Sequence, residues 1–452
     1  MKQTTSDFES FSEAPISSHS WTDWSPRARL CVAACAAFSV YFCMYAFRKP
    51  FTAGTFEGQT VYGLGLKTTL VVSQLLGYML SKFIGIKVVS EMRSEYRTIT
   101  IIGLIAFAEL SLVGFAFLPP EIKPISLFLN GLPLGMVFGL VLGYLEGRKQ
   151  TEALSAALCA SFIIASGVVK SVGRWLIQDY GISEFQMPMM VGLIFFPPLL
   201  VAVWALQKTP PPSDEDRRLR QERKSMNRTD RRDFLVKYWP GLACLVFVYV
   251  VLTIVRTIRD DFAVEIWRDM GVNETPSVFA SCEIAVALLV TALNALAITF
   301  RNNVVAMRIT LVGMGIAFAL LVASALGQSG GMLSPFVFMV ACGVGLYIPY
   351  VAFHTTVFER LIASSKLPSN LGFLMYFADA MGYLGYAVVM IMQTTLHESM
   401  QQSGAALSFF TVTLTIVAAA SMVALAIAYQ YFRRVFTDAA ANDSTLMLRN
   451  RS

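Results

Sequence analysis

Predominantly apolar stretches of about 18 residues or more recur along the chain, each near the ~20 residues that a membrane-crossing helix needs. Lipid offers the backbone no hydrogen-bond partners, so only helices and closed barrels can span it, and runs this long satisfy their own amides as helices. Twelve spans are predicted, near 28–54, 66–88, 98–118, 124–145, 153–178, 187–206, 238–266, 277–299, 304–326, 332–356, 370–394 and 404–431. The bulk values agree: 55% of the 452 residues are hydrophobic, 15% are charged, and the mean hydropathy is +0.58. The expected class is an all-α polytopic membrane protein.

The connection 207–237 differs from the rest. Three prolines, 210–212, precede a charge-dense run from Asp214 to Lys237. It divides the chain into a six-helix bundle over 28–206 and a second over 238–431, with tails at 1–27 and 432–452. Basic residues of the short loops gather on one side: Arg27 and Arg29, Lys87, Arg93 and Arg97, Arg148 and Lys149, Arg301, Arg433 and Arg434. Such a bias marks the cytoplasmic side, so both termini are expected in the cytoplasm and the protein in the cell (inner) membrane. The Ser-rich segment 1–25 lacks the basic start and cleavage site of a signal peptide. Two sets of six spans joined by a long basic loop resemble the major facilitator superfamily, whose halves rock around a midplane site.

Charge inside the spans locates that site. The stretch YFCMYAFRKPF, Tyr41 to Phe51, ends the first span with Arg48 and Lys49. YVVLTIVRTIRDDF, Tyr249 to Phe262, repeats the arrangement, with a Tyr seven positions before an Arg in both copies. Arg48 and Arg256 thus occupy equivalent places in the two halves, an arrangement suited to one anion held between them. An ionised side chain at the centre of a span costs about 2.5–3.5 kcal/mol on the insertion scale, so it faces a polar cavity or a partner. Lys49, Lys82 and Lys170 join the arginines as substrate-binding candidates, with Tyr41, Tyr45 and Tyr78 as cavity hydroxyls. Asp261, Glu283 and Asp379 are candidates for ion pairing or proton coupling. The duller alternatives are snorkelling of Arg48, Lys49 and Lys82 to an interface and an ion pair for Lys170. Arg174 reads as an interfacial anchor, Arg259 and Asp260 as a local salt bridge at the outer end of the seventh span. Glu109 is expected to be hydrogen-bonded in a helix contact, and His354 and Glu359 to be interfacial.

Four patches resemble the organophosphate:phosphate antiporters of the superfamily, the glycerol-3-phosphate and hexose-phosphate carriers. They are the Tyr-rich end of the first span with Arg48-Lys49 and Phe51; Gly77-Tyr78 followed by Ser81-Lys82-Phe83; Arg256 with Asp261 and Phe262; and Gly382-Tyr383-Leu384-Gly385. The resemblance implies that Arg48 and Arg256 bind phosphate with Lys82 in support, and that Glu91 and Arg93 form a cytoplasmic gate. The family's fifth-helix His is absent, its nearest counterpart being Ser161, and Arg301-Asn302-Asn303 lacks the family's acid. The implied activity is exchange of a phosphorylated or phosphonate anion for inorganic phosphate. The alternatives are a proton-coupled carrier of another organic anion and a transporter-like sensor of phosphate esters.

Other classes find little support. The seven cysteines lie in apolar stretches; Cys31 and Cys35 share a helical face without a His or acid at ligand spacing, so no metal is expected. The three histidines, 19, 354 and 397, form no nucleophile–base set. The Gly-rich run Gly131 to Gly143 has no strand or Gly-Lys-Ser context and reads as a close helix contact. No cofactor and no nucleic acid are expected. The partners are the bilayer, a small anion and inorganic phosphate, and the protein is expected to be a monomer.

Overall fold

The computed structural model describes residues 26–145, 151–209, 228–272, 275–298, 302–364, 371–396 and 404–449. Among these lie twelve helices of 18 residues or more: α1 (Pro26–Arg48), α2 (Leu66–Glu91), α3 (Arg97–Phe117), α4 (Lys123–Leu145), α5 (Thr151–Tyr180), α6 (Met187–Gln207), α7 (Arg228–Asp261), α9 (Ser277–Ile298), α10 (Asn303–Ser329), α11 (Pro335–Ala352), α13 (Leu371–Leu396) and α14 (Ala405–Arg449). Two short helices, α8 (Ala263–Asp269) and α12 (Phe358–Ser364), complete the set, with a π-helical turn (Phe353–Val357) joining α11 to α12. The only strands among the described residues are the pair Thr60–Val61 and Leu64–Gly65 in a small hairpin before α2. The protein is an all-α polytopic membrane protein with the major facilitator fold.

Ten of the long helices have a window apolar enough to cross a bilayer. The exceptions are α2, which carries Lys67 and Lys82, and α13, whose apolar core is the shorter Phe377–Met392. These two helices pack against each other across the two sets. The first set packs as α1 against α4, α5 and α6, α2 against α4, and α3 against α4 and α6. The second packs as α7 against α11, α13 and α14, α9 against α11, and α10 against α11 and α14. Two seams join the sets, α2 with α13 and α5 with α9. We call the side where α1 begins the near face and the side where it ends the far face.

Some boundaries differ from the sequence expectation. α7 begins at Arg228, inside the stretch read as loop, and stops at Asp261 rather than continuing to 266. Phe262 leaves the helical region (φ −109°, ψ 23°) before α8 resumes. Helix α14 runs to Arg449, past the predicted end of the last span. The tail 1–25 and the linker residues 210–227 lie outside the described residues, as do Arg148, Lys149 and Arg301.

The α2–α4 contact is built on small residues, which let backbones approach without a polar driving force. A Cβ on Gly131 would stand 2.2 Å from the Gln74 carbonyl oxygen, and one on Gly77 would stand 2.1 Å from that of Phe128. Backbone cannot retreat as a side chain can. Gly131→Val is therefore expected to cost about 3 kcal/mol or more and to lower the thermal midpoint in detergent, with Gly103→Val, which meets open space, as the neutral control.

Candidate functional site

The site begins where α1 stops. Pro50 lacks the N–H that would bond the Ala46 carbonyl, so the helix closes at Arg48. A helix end leaves carbonyls without intrahelical donors, and inside an apolar bundle they must be supplied. Asn130 Nδ2 donates to the carbonyls of Phe47 and Ala108, both at 3.0 Å. Gln74 Nε2 donates to the Arg48 carbonyl at 2.7 Å and to Asn130 Oδ1 at 2.8 Å. This polar cluster fixes the backbone that carries Arg48. Asn130→Ala removes the donor to two buried carbonyls and is expected to destabilise the protein by about 2 kcal/mol, read as a lower unfolding midpoint in detergent.

The Arg48 guanidinium lies over the Tyr78 ring, 3.7 Å from its centroid, and 5.8 Å from that of Tyr45. Arg256 repeats the arrangement in the second set, 4.4 Å from the Tyr350 centroid and 6.0 Å from Tyr347. The two arginines are 6% and 7% exposed. Among the described residues neither makes a side-chain hydrogen bond or an ion pair, and the Nε of each has no partner. Aromatic contacts tie the two environments together: Phe162 lies 6.4 Å from Tyr45 and 5.7 Å from Tyr350, and Tyr78 lies 5.6 Å from Tyr383. Tyr45 and Tyr383 are each within electrostatic reach of both guanidinium groups. A ring face attracts a cation through its quadrupole but does not cancel its charge.

The other buried bases are matched. Lys49 pairs with Asp260 at 2.8 Å and with Asp261, Lys170 with Asp260, Lys82 with Asp379, Lys67 with Glu265 at 2.5 Å, and Arg259 with Glu283 at 2.7 Å. Lys123 donates to the Phe115 carbonyl at the end of α3. Four of these pairs join the first set of helices to the second on the far side of the arginines, and Lys82–Asp379 joins them on the near side. Helical rise places Lys82 about 6 Å nearer the near face than Tyr78, and Asp260 about 6 Å nearer the far face than Arg256. The two unmatched arginines thus lie in a layer between two layers of cross-bundle ion pairs.

The sequence candidates divide accordingly. Arg48 and Arg256 share the layer with Tyr45 and Tyr78, while Tyr41 lies edge-on one turn back, 5.7 Å from Tyr45 and 5.4 Å from Phe138. Lys49, Lys82 and Lys170 are held by carboxylates. Asp261 also accepts from the Tyr386 hydroxyl at 3.0 Å, and Asp379 from the Tyr249 hydroxyl. The expected local pairing of Arg259 with Asp260 does not form, because consecutive helical side chains point about 100° apart. Arg259 turns into the second set towards Glu283, and Asp260 crosses to Lys49 and Lys170. Glu109 is not hydrogen-bonded as expected: among the described residues neither carboxyl oxygen has a partner, and a Cβ on Gly192 would stand 2.0 Å from its Oε2. His354 lies tilted against the rings of Tyr350 at 4.4 Å and Tyr249 at 6.0 Å. Ser161 donates to the Leu158 carbonyl. Arg93 is exposed on the near face, and the Glu91 side chain lies outside the described residues, so the gate pair is not described.

Sequence reasoning missed Tyr347 and Tyr350. Their signal was the run Tyr347-Ile348-Pro349-Tyr350, two tyrosines three apart and so on one helix face, just before the π turn. It also missed Lys67–Glu265, whose members lie 198 positions apart.

Comparison with solved structures finds a crystal structure of a D-xylose–proton symporter at TM-score 0.59 and 13% identity, covering 87% of this chain and 97% of the symporter chain. At that identity the likeness is one of fold. No curated protein matches the sequence. One family model matches, described as a family of unknown function (DUF5690), and it covers residues 50–435, from just beyond Lys49 to the last part of α14. With most of its length inside that match, the chain belongs to the DUF5690 family.

Proposed function

We propose that the protein is a secondary carrier of a small phosphorylated or phosphonate anion, working by exchange with inorganic phosphate through alternating access. The observation that carries this reading is the pair of buried, carboxylate-free guanidinium groups, one from each set of helices, in a structure whose other buried lysines and Arg259 have partners. Two planar forks present parallel N–H donors suited to the oxygens of one phosphoryl group. An uncompensated buried charge costs several kcal/mol, and a bound dianion offsets both charges at once. Closure around the loaded layer is then favoured over closure around the empty one, so one anion leaves as another enters. The ion pairs on either side act as gates, one opening while the other stays formed.

The test is phosphate counterflow in proteoliposomes loaded with inorganic phosphate and given labelled phosphate outside. Uptake that requires internal phosphate and is competed by phosphate esters or phosphonates supports the reading. Absence of exchange by folded, inserted protein overturns it. A second reading, a proton-coupled carrier of another organic anion, is favoured by one observation, the unpartnered Glu109 carboxyl within α3. It predicts net uptake driven by an imposed pH gradient without internal phosphate, and loss of that uptake in Glu109→Gln.

A further inference from the structure

A cavity of about 260 Å³ opens at the far end of the α5–α9 seam, lined from both sets of helices by Thr55, Glu57, Arg174, Gln178, Arg268 and Phe279 among others. It stands outside the far-face ion pairs: Arg174 is one turn beyond Lys170 on α5, and Arg268 lies two turns beyond Asp261. Phe279 also lines the small space around Lys170 and Asp260, so the cavity abuts the gate.

The charged groups around it are committed, with one exception. Glu57 is held by Arg268. Glu184 accepts from the backbone amides of Thr55 at 2.6 Å and Phe56 at 2.8 Å. Glu265 takes Lys67, and both oxygens of Asp269 accept amides at the start of α14. Arg174, half-buried, makes no hydrogen bond or ion pair among the described residues, although Glu57, Glu184 and Glu265 are the carboxylates within its electrostatic reach. Gln178, one turn further along the same face of α5, is also without a partner among the described residues. An Arg fork and an amide facing one cavity can bind two oxygens of an anion. The neighbouring acids, already bonded, are not free to take their place.

We propose that this cavity is a peripheral phosphate-group site, in which Arg174 and Gln178 hold the incoming anion at the far face before the gate at Lys170 and Asp260 opens. The identity of its ligand as a solute phosphate rests on the exchange reading above, whereas occupation of the site does not require transport. Trp175 and Tyr180, edge to face at 4.8 Å and exposed beside it, set this level at the membrane interface. A lipid headgroup therefore offers the same phosphate chemistry, and the test separates the two.

The cavity residue Val278 is replaced by Cys, and its labelling by an impermeant anionic methanethiosulfonate is followed in phosphatidylcholine vesicles, with the unsubstituted protein as blank. Millimolar inorganic phosphate is expected to slow labelling about threefold or more. Arg174→Gln is expected to remove that protection and to lower the anionic-to-cationic reagent rate ratio by a similar factor. The proposal is overturned if phosphate gives no protection, or equal protection in Arg174→Gln. It is also overturned if only added phosphatidylglycerol protects, which makes the occupant a lipid. Protection that depends on Arg174 in a protein that exchanges no phosphate upholds this site and sinks the exchange reading. Exchange without protection does the reverse.

Discussion

Replacing either Arg48 or Arg256 by Lys is expected to lower phosphate counterflow about 100-fold, with each variant still folded and inserted. The charge survives this change, so the loss isolates the guanidinium geometry. A lysine offers one rotatable ammonium in place of a fork, and loses the ring contact that holds the fork over Tyr78 or Tyr350. Giving up one charge-assisted, bidentate contact costs about 3 kcal/mol, which is about a hundredfold in rate. The double variant is expected to fall little further, because a clamp that has lost one jaw is no longer a clamp, and such residues act as a unit. Lys208→Arg, at an exposed position just after α6 on the near face, serves as control and should leave exchange unchanged. Unequal effects, with one arginine dispensable, would mean that the anion is held by one set of helices alone.

The lengths and apolar character of the spans carried the fold class. Twelve long helices and two polar seams follow from where the chain can and cannot meet lipid. Repetition carried the two arginines: the Tyr-to-Arg spacing of seven recurs in both halves, and both guanidinium groups lie in one aromatic layer. Pairing was less legible. Lys49 and Lys170 have the same composition signal as Arg48, a base within an apolar run. What separates them is the position of Asp260, which lies 90 residues or more from either in sequence. A sequence shows how many acids and bases a membrane protein must reconcile, but packing decides which bases are left over. The same holds for Glu109, where Gly192 of α6 leaves room for the carboxyl and brings no donor.

Asp260→Asn is expected to open the far face. Asp260 is the shared acid of Lys49 and Lys170, both less than a tenth exposed, and it also accepts from the Ser166 hydroxyl. An amide keeps the shape but not the charge, leaving Lys170 without a carboxylate and Lys49 with Asp261 alone. Removing one member of a buried pair costs about 3–5 kcal/mol because the other charge stays behind. The protein can relieve that cost by hydrating the lysines, which means separating the two sets of helices at the α5–α7 level. A cysteine at Thr257, buried just inside this gate, should then react with a far-face impermeant thiol reagent about tenfold faster than in the parent protein. The thermal midpoint should fall in parallel, and Lys170→Met added to Asp260→Asn should restore part of it by removing the stranded charge. Lys170→Met alone leaves Asp260 with Lys49 and should change accessibility much less. A Thr257→Cys thiol that stays shielded in Asp260→Asn would show that the far face is closed by packing around Phe262 and Trp267 rather than by these ion pairs. The gate would then have to be sought in apolar contacts.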